Sequence, residues 1–336
     1  MDIGKFPPEL LERLLGSITL DDPRVVLGPR VGEDAAALDF GDRLLVAKTD
    51  PVTFATDRAG WHSVQVCAND VACTGATPRW FMATILAPEW FTEDDASRLF
   101  DDVLRACREL GVALIGGHSE VTQGIPRPIV MGTMLGEVER DRLVTTAGAQ
   151  EDDSIVVTKG LAIEGTAILA RDCAEELRDA GVSSSAIESG ATLLHSPGIS
   201  VLAEARIVVA QNAVHAMHDV TEGGLATALH EIAQASGLGV ALEEGSVPFL
   251  PETEEMCNAL GLDPLGLLGS GALLIALPAP DAPKLLRDLE QAGIDAWEIG
   301  QVLSAEEGRV LFSRTGEELT LPEFGRDELA RYFARQ

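Results

Sequence analysis

A chain of 336 residues, 46% of them hydrophobic, is long enough to bury two cores. Its formal net charge of -29, from 54 acidic against 25 basic side chains, argues against a nucleic-acid partner or an anionic membrane surface, because such a chain would repel either. An anionic ligand must then be met by backbone amides, a metal or a few placed cations, and lysine occurs only at Lys5, Lys48, Lys159 and Lys284.

In chain order, MDIGKFPPELLERLL reads as an amphipathic helix started by Pro7-Pro8 rather than a signal peptide. No apolar run approaches the roughly 20 residues of a membrane-spanning helix. DRLLVAKTD (42–50) is a strand ending in Asp50, a helix follows over 61–74, and RWFMATILAP is the next strand. TEDDASRLFDDVLRACRELG (92–111) predicts a helix with Thr92 as N-cap, acids in its first turn and Gly111 as its stop. VALIGGHSEV and RPIVMGTMLGEV are further strands joined by a polar loop. At AGAQEDD (147–153) the composition turns polar, which divides an N-terminal domain, 1–148, from a C-terminal one, 149–336.

The second half repeats the alternation. Strand SIVVTKG precedes a helix over about 164–177, a long helical stretch before Asn212 and the loop HAMHDVTEGG. Helix LATALHEIAQASG, a strand near 240, helix PETEEMCNALG, strand ALLIAL, helix DAPKLLRDLEQAG and two closing strands complete it. The fold class is α/β (α+β), mixed sheets with packed helices and no internal repeat. Cys67, Cys73, Cys107, Cys173 and Cys257 lie in apolar segments without a C-x-x-C pair, so they read as reduced core thiols of a cytoplasmic protein, not as a zinc site.

One helix poses a problem. In VQVCANDVACTGATPRWF (64–81), Val64, Cys67, Ala68, Val71 and Gly75 form one buried stripe, and Asn69 and Asp70 sit between Val66 and Cys73 on the other side. A carboxylate there is desolvated at a cost that a metal, a cation or hydrogen-bond donors must offset. Other acids and glycines also stand where apolar runs end: Asp34 after Gly32-Glu33, Asp50, Gly116-Gly117-His118-Ser119-Glu120, Asp219, and Gly223-Gly224 opening a helix. Taken singly, a strand-end aspartate is usually a cap and a Gly-Gly usually a turn. Together they suit a magnesium-polyphosphate site, with carboxylates for the metal and free amides at the helix start for phosphate. No Walker A sequence is present. His62, His195, His215 and His230 read as surface or satisfied core residues.

Six ordered stretches then carry a resemblance: VGEDAAAL (31–38), AKTDPV (47–52), VCANDVACTGATP (66–78), LIGGHSEVT (114–122), HDVTEGGLATALHEIA (218–233) and LDPLGLLGSGALLIAL (262–277). They resemble the motifs of the aminoimidazole ribonucleotide (AIR) synthetase-related, PurM-like superfamily, which includes hydrogenase-maturation carbamoyl dehydratases, thiamine-monophosphate kinases and selenophosphate synthetases. The resemblance implies an ATP- and Mg²⁺-binding homodimer whose N-terminal sheets pair, with nucleotide in a cleft beside them. It implies Asp34, Asp50, Asp70 and Asp219 as metal and phosphate-side ligands, catalysis by Asp70, Asp50 and Asp219, and Asn69 supporting Asp70. Gly116 and Gly117 would let backbone approach the nucleotide, Gly223-Gly224 would face phosphate, and Lys48 and Lys159 would counter its charge. His118 stands where several branches carry an acid, so either Glu120 replaces that ligand or one metal site is altered.

The hydrogenase-maturation branch is the most similar, through DVTEGGLATALHEIA and LGLDPLGLLGSG. Its carrier cysteine has no counterpart after Cys257, where the sequence ends DELARYFARQ, so carrier chemistry in cis is not expected. The expected activity is ATP-dependent activation of an oxygen on a small or protein-borne substrate. Thiamine-monophosphate kinase and a non-catalytic ATP-binding partner are the alternatives.

Overall fold

The structure, a computed structural model, describes residues 8–52 and 58–335. It separates into two units: Leu20–Gly28 with Asp34–Leu143, and Met1–Thr19 with Pro29–Glu33 and Val144–Gln336. The division expected at 148 thus falls at Leu143, and two N-terminal stretches side with the second half. The reason lies in short contacts. The Glu33 carboxylate accepts from the Thr146 and Ala147 amides at 3.1 Å each, and a Cβ on Gly32 would stand 2.7 Å from the Glu231 carbonyl oxygen.

In the Asp34–Leu143 unit, β1 (Val25–Leu27), β2 (Ala36–Asp39), β3 (Arg43–Val52), β4 (Thr77–Ala87), β5 (Ala113–Val121) and β6 (Ile129–Glu139) form a sheet ordered β1-β2-β3-β6-β4-β5. Only β4 and β5 pair in parallel. The sequence leaves β1 and β2 unmarked because each is short, three and four residues. The expected N-terminal helix is α1 (Pro8–Leu15), which belongs to the other unit, and residues 1–7 lie outside the described residues. Helices α2 (Ala59–Cys73) and α3 (Glu93–Leu110) pack on the sheet. α3 begins and stops as its sequence predicts: Thr92 and Asp95 form a reciprocal capping box, and Gly111 closes the helix in the left-handed region.

Two glycines of β6 set how closely α2 approaches. A Cβ on Gly132 would meet Ser63 Oγ at 2.6 Å and Cys67 Sγ at 2.8 Å, and one on Gly136 would meet Val71 Cγ1 at 2.4 Å. Helix and sheet are therefore in close contact along this line, where Val64, Cys67, Ala68 and Val71 are fully buried. Met134, the residue midway between those glycines, pairs with Lys48 of β3.

The second unit holds α4 (Ile163–Asp172), α5 (Ala174–Asp179), α6 (Ser184–Thr192), α7 (Leu202–Ala210), α8 (Gly224–Ser236), α9 (Pro251–Leu260), α10 (Ala282–Gln291) and α11 (Glu328–Phe333). Its strands are β7 (Asp153–Thr158), β8 (Ala216–Asp219), β9 (Gly239–Glu243), β10 (Leu273–Pro278), β11 (Ala296–Leu303), β12 (Arg309–Phe312) and β13 (Glu318–Thr320), ordered β13-β12-β9-β11-β7-β10-β8. The core lies where β7 and β10, buried throughout except at Pro278, meet Leu225, Leu229 and Ile232 of α8. Several expectations change: the long helical stretch before Asn212 holds two separate α-helices, α6 and α7, and three strands rather than two follow α10. The stretch read as the loop HAMHDVTEGG contains β8, all four of whose residues are buried against β10, and the helix expected over 164–177 breaks at Cys173. His218 and Asp219 disguised the strand, since polar residues in a short buried strand leave no alternation to read.

Among the described residues no single helix is long and apolar enough to cross a membrane.

Candidate functional site

Alternation along β3 puts Leu44, Val46, Lys48 and Asp50 on one face. Lys48 Nζ donates to Asp70 Oδ1 on α2 at 3.0 Å and lies 3.8 Å from Asp50 Oδ2. The Asp70 side chain is 5% exposed, that of Lys48 21%. Burial alone would lower the Lys48 pKa, but the charges of Asp70, Asp50 and Asp34 outweigh it and hold the ammonium well above the usual lysine range. Three carboxylates therefore act on one fixed cation. Of the metal, cation or hydrogen-bond donors that could offset Asp70, a cation is in place: Lys48. Asn69 is fully buried beside Asp70, and Asp34 is 8% exposed.

Sequence reasoning missed Cys67 as a neighbour of this cluster. One helical turn before Asp70, its thiol is pushed well above its ordinary pKa, first by burial and then by Asp70 and Asp50, so it stays protonated. The signal was its i, i+3 spacing to Asp70.

The glycine-rich strand lies elsewhere in the same sheet. Asp50 pairs with Gly132, Gly132 with Ala83 and Ala83 with Gly117, so β5 is three strand spacings from β3, roughly 14 Å. Glu120, expected as a metal ligand beside the aspartates, is not brought to them. It pairs instead with His118 at 3.0 Å on an exposed surface. Gly117 has a packing reason of its own: its φ is +148°, and a Cβ would stand 2.0 Å from the Ala83 carbonyl oxygen. At Gly116 a Cβ would meet open space.

In the second unit, two expected phosphate contacts are already occupied. The Lys159 ammonium donates to the carbonyls of Gly198 and Ser200 at 3.1 and 2.5 Å and pairs with Glu204 at 2.8 Å, which uses its three protons. It is not free to counter phosphate. At the start of α8, the Gly223 amide donates to Asp327 Oδ2 at 2.6 Å and the Gly224 amide to the Thr221 carbonyl at 3.1 Å. The expected anion cradle is thus filled by the chain's own carboxylate. Burial pushes Asp327 up to about 7 despite backbone donation from Gly223 and Leu329. Aspartate at the N-cap of α11 was the readable sign. Asp219 ends β8 at 1% exposure, and the adjacent His218 pairs with Glu231 at 2.9 Å.

The donors around Lys48 are all carboxylate oxygens, the set that suits a hard divalent cation such as Mg²⁺. Residues 32–138 match the model of the AIR synthase related protein N-terminal domain, and residues 150–313 that of its C-terminal domain. The chain belongs to the AIR synthase related family. Its two mixed sheets with packed helices are that family's PurM-like fold. It is 33% identical to the carbamoyl dehydratase HypE of Cupriavidus necator over 290 residues, covering 83% of this chain and 79% of that protein. It is 28% identical to a putative hydrogenase expression/formation protein of Methanocaldococcus jannaschii over 324 residues, 94% of this chain and 93% of the other. Among solved structures, hydrogenase maturation protein HypE in complex with ATP is similar at a TM-score of 0.73 and 26% identity, over 95% of this chain and 96% of that one.

Proposed function

We propose that this chain is an ATP- and Mg²⁺-dependent enzyme that activates an oxygen of a small or protein-borne substrate by phosphoryl transfer. The observation that carries the reading is the set of carboxylates of Asp34, Asp50 and Asp70 around Lys48, inside the N-terminal family domain. The HypE solved with ATP and the carbamoyl dehydratase of C. necator give that set its context. Bound Mg²⁺ would supply charge neutralisation and polarisation of the phosphoryl oxygens.

In this proposal Asp50 and Asp70 hold the metal, supported by Asp34, and Lys48 fixes the Asp70 carboxylate between β3 and α2. The close packing of α2 excludes water from the Asp70 side. Asp219, Gly116 and Gly117 remain proposed participants on the family resemblance alone. All five cysteines of the sequence are buried, so none of these is presented as a carrier. The chain is also proposed to be a homodimer through the Asp34–Leu143 unit, whose edge strand β5 leaves Ile115 53% and Val121 62% exposed.

Calorimetry with ATP and Mg²⁺ tests the nucleotide reading. Binding by the unaltered protein that weakens at least about tenfold in Asp70→Asn and Asp50→Asn is expected, from lost charge on the metal side. Equal binding by all three would remove the site. ADP release only with thiamine monophosphate would make the chain a kinase, and binding without turnover across acceptors would make it a regulatory partner.

A further inference from the structure

Resting on the carboxylate site proposed above, we infer that Lys48 is a tethered cation that competes with a divalent ion for the same carboxylates. A metal would then enter the site in competition with the protein's own ammonium.

The charges at the cluster lead to this. Asp70 and Asp50 lie against Lys48 and Asp34 adds its charge to the field; Asp70 and Asp34 are buried and Asp50 is 40% exposed, so the carboxylates that burial desolvates would oppose folding without a cation. Lys48 supplies one positive charge, 3.0 Å from Asp70 and 3.8 Å from Asp50. The net charge left is that which a single divalent ion neutralises. Lys48 therefore offsets part of the carboxylate charge without metal, and an attraction for one ion remains.

Asp70 cannot give its charge fully to a metal while it accepts from the Lys48 ammonium. Ion entry must draw the ammonium away from Asp70 or share that carboxylate with it. The Lys48 side chain keeps 21% exposure, which leaves its head a route toward solvent or toward an arriving anion. A purely structural salt bridge would behave differently: it would neither respond to metal nor suppress its binding.

Two nucleotide-free measurements test the inference. The first uses the unaltered protein grown with lysine labelled with ¹³C at Cε, whose four lysines give a spectrum in which Lys48→Arg assigns one signal. Titration with Mg²⁺ is expected to move the Lys48 signal saturably and leave Lys159 and Lys284 in place. A Lys48 signal that stays fixed at saturating Mg²⁺ overturns the inference.

The second compares Lys48→Met with the unaltered protein by calorimetry and Mn²⁺ electron paramagnetic resonance. Removing one positive charge beside a divalent ion is expected to tighten Mn²⁺ binding about tenfold or more, even with water-like screening. The variant should also melt earlier in EDTA and recover with Mg²⁺. Unchanged or weaker Mn²⁺ binding, or no recovery, overturns it. If Lys48→Met does not fold, the lysine spectrum of the unaltered protein decides. Because neither experiment contains nucleotide, failure of ATP to bind would leave these results intact, and their failure would leave ATP binding to be judged by its own titration.

Discussion

Two half-buried lysines, one in each unit, show how the same side chain can be finished or unfinished. Lys159 is 7% exposed, faces one carboxylate and two carbonyls, and has no proton left to donate. Lys48 is 21% exposed and faces Asp70 and Asp50, with Asp34 adding to the field, so negative charge exceeds positive around it. Both answer a buried carboxylate, but only Lys48 leaves an attraction for a further cation. A saturated network stabilises a fold, whereas an unbalanced one is a place for a ligand.

The strongest way to break this contrast is Lys159→Met. It strands the Glu204 carboxylate at 3% exposure, and a loss of about 3–5 kcal/mol in denaturant stability is expected. A loss below about 1 kcal/mol would mean that the pair is not the staple described. Asp327 gives an acidic counterpart in the same unit. Its value of about 7 in the folded chain lies above its ordinary 3.8, so the folded state holds the extra proton between those values. Its contribution is full below about pH 4 and lost as pH rises toward 7, about 4 kcal/mol at most. Melting followed from pH 4 to 8 should show that decline, and Asp327→Asn should flatten it. An unchanged slope would relocate the titration.

Asp70→Asn sharpens the comparison from the other side. Lys48 keeps Asp50 and the field of Asp34, so stability should fall by only about 1–2 kcal/mol, the worth of a charged hydrogen bond. Mg²⁺ affinity measured without nucleotide should fall more steeply, about tenfold or beyond. A stability loss as large as that of Lys159→Met, with metal binding untouched, would make the two lysines equivalent.

Much of this contrast was legible in the residues. Asp70 was conspicuous because a carboxylate inside an apolar helix requires compensation, and α3 was readable to its caps because Thr92, Asp95 and Gly111 act locally. The compensating partner was not legible. Lys48 lies 22 residues from Asp70, and its reach depends on β6 glycines that let α2 approach the sheet. The same limit hid the saturation of Lys159 by residues 39 to 45 positions away, and the 104-residue contact by which Asp327 fills the start of α8. Glu120 was misplaced for a related reason: a one-dimensional motif sets β5 next to β6, whereas the sheet inserts β4 between them.

The smallest expected effect falls on that misplaced pair. His118 and Glu120 are two residues apart on one face of β5, with side chains 64% and 49% exposed and 3.0 Å between their polar atoms. Exposed pairs of this kind contribute little, because solvent screens the attraction and two mobile side chains must be ordered. Glu120→Gln should therefore change stability by less than about 0.5 kcal/mol. In the monomeric unit it should also leave Mg²⁺ affinity unchanged, since two strands separate β5 from the aspartate on β3. A clear loss of metal binding in Glu120→Gln would show that Glu120 reaches a cation after all. If that loss appeared only at concentrations where the chain dimerises, the ion would be held with help from a second copy, and the account of the aspartate cluster would have to include both.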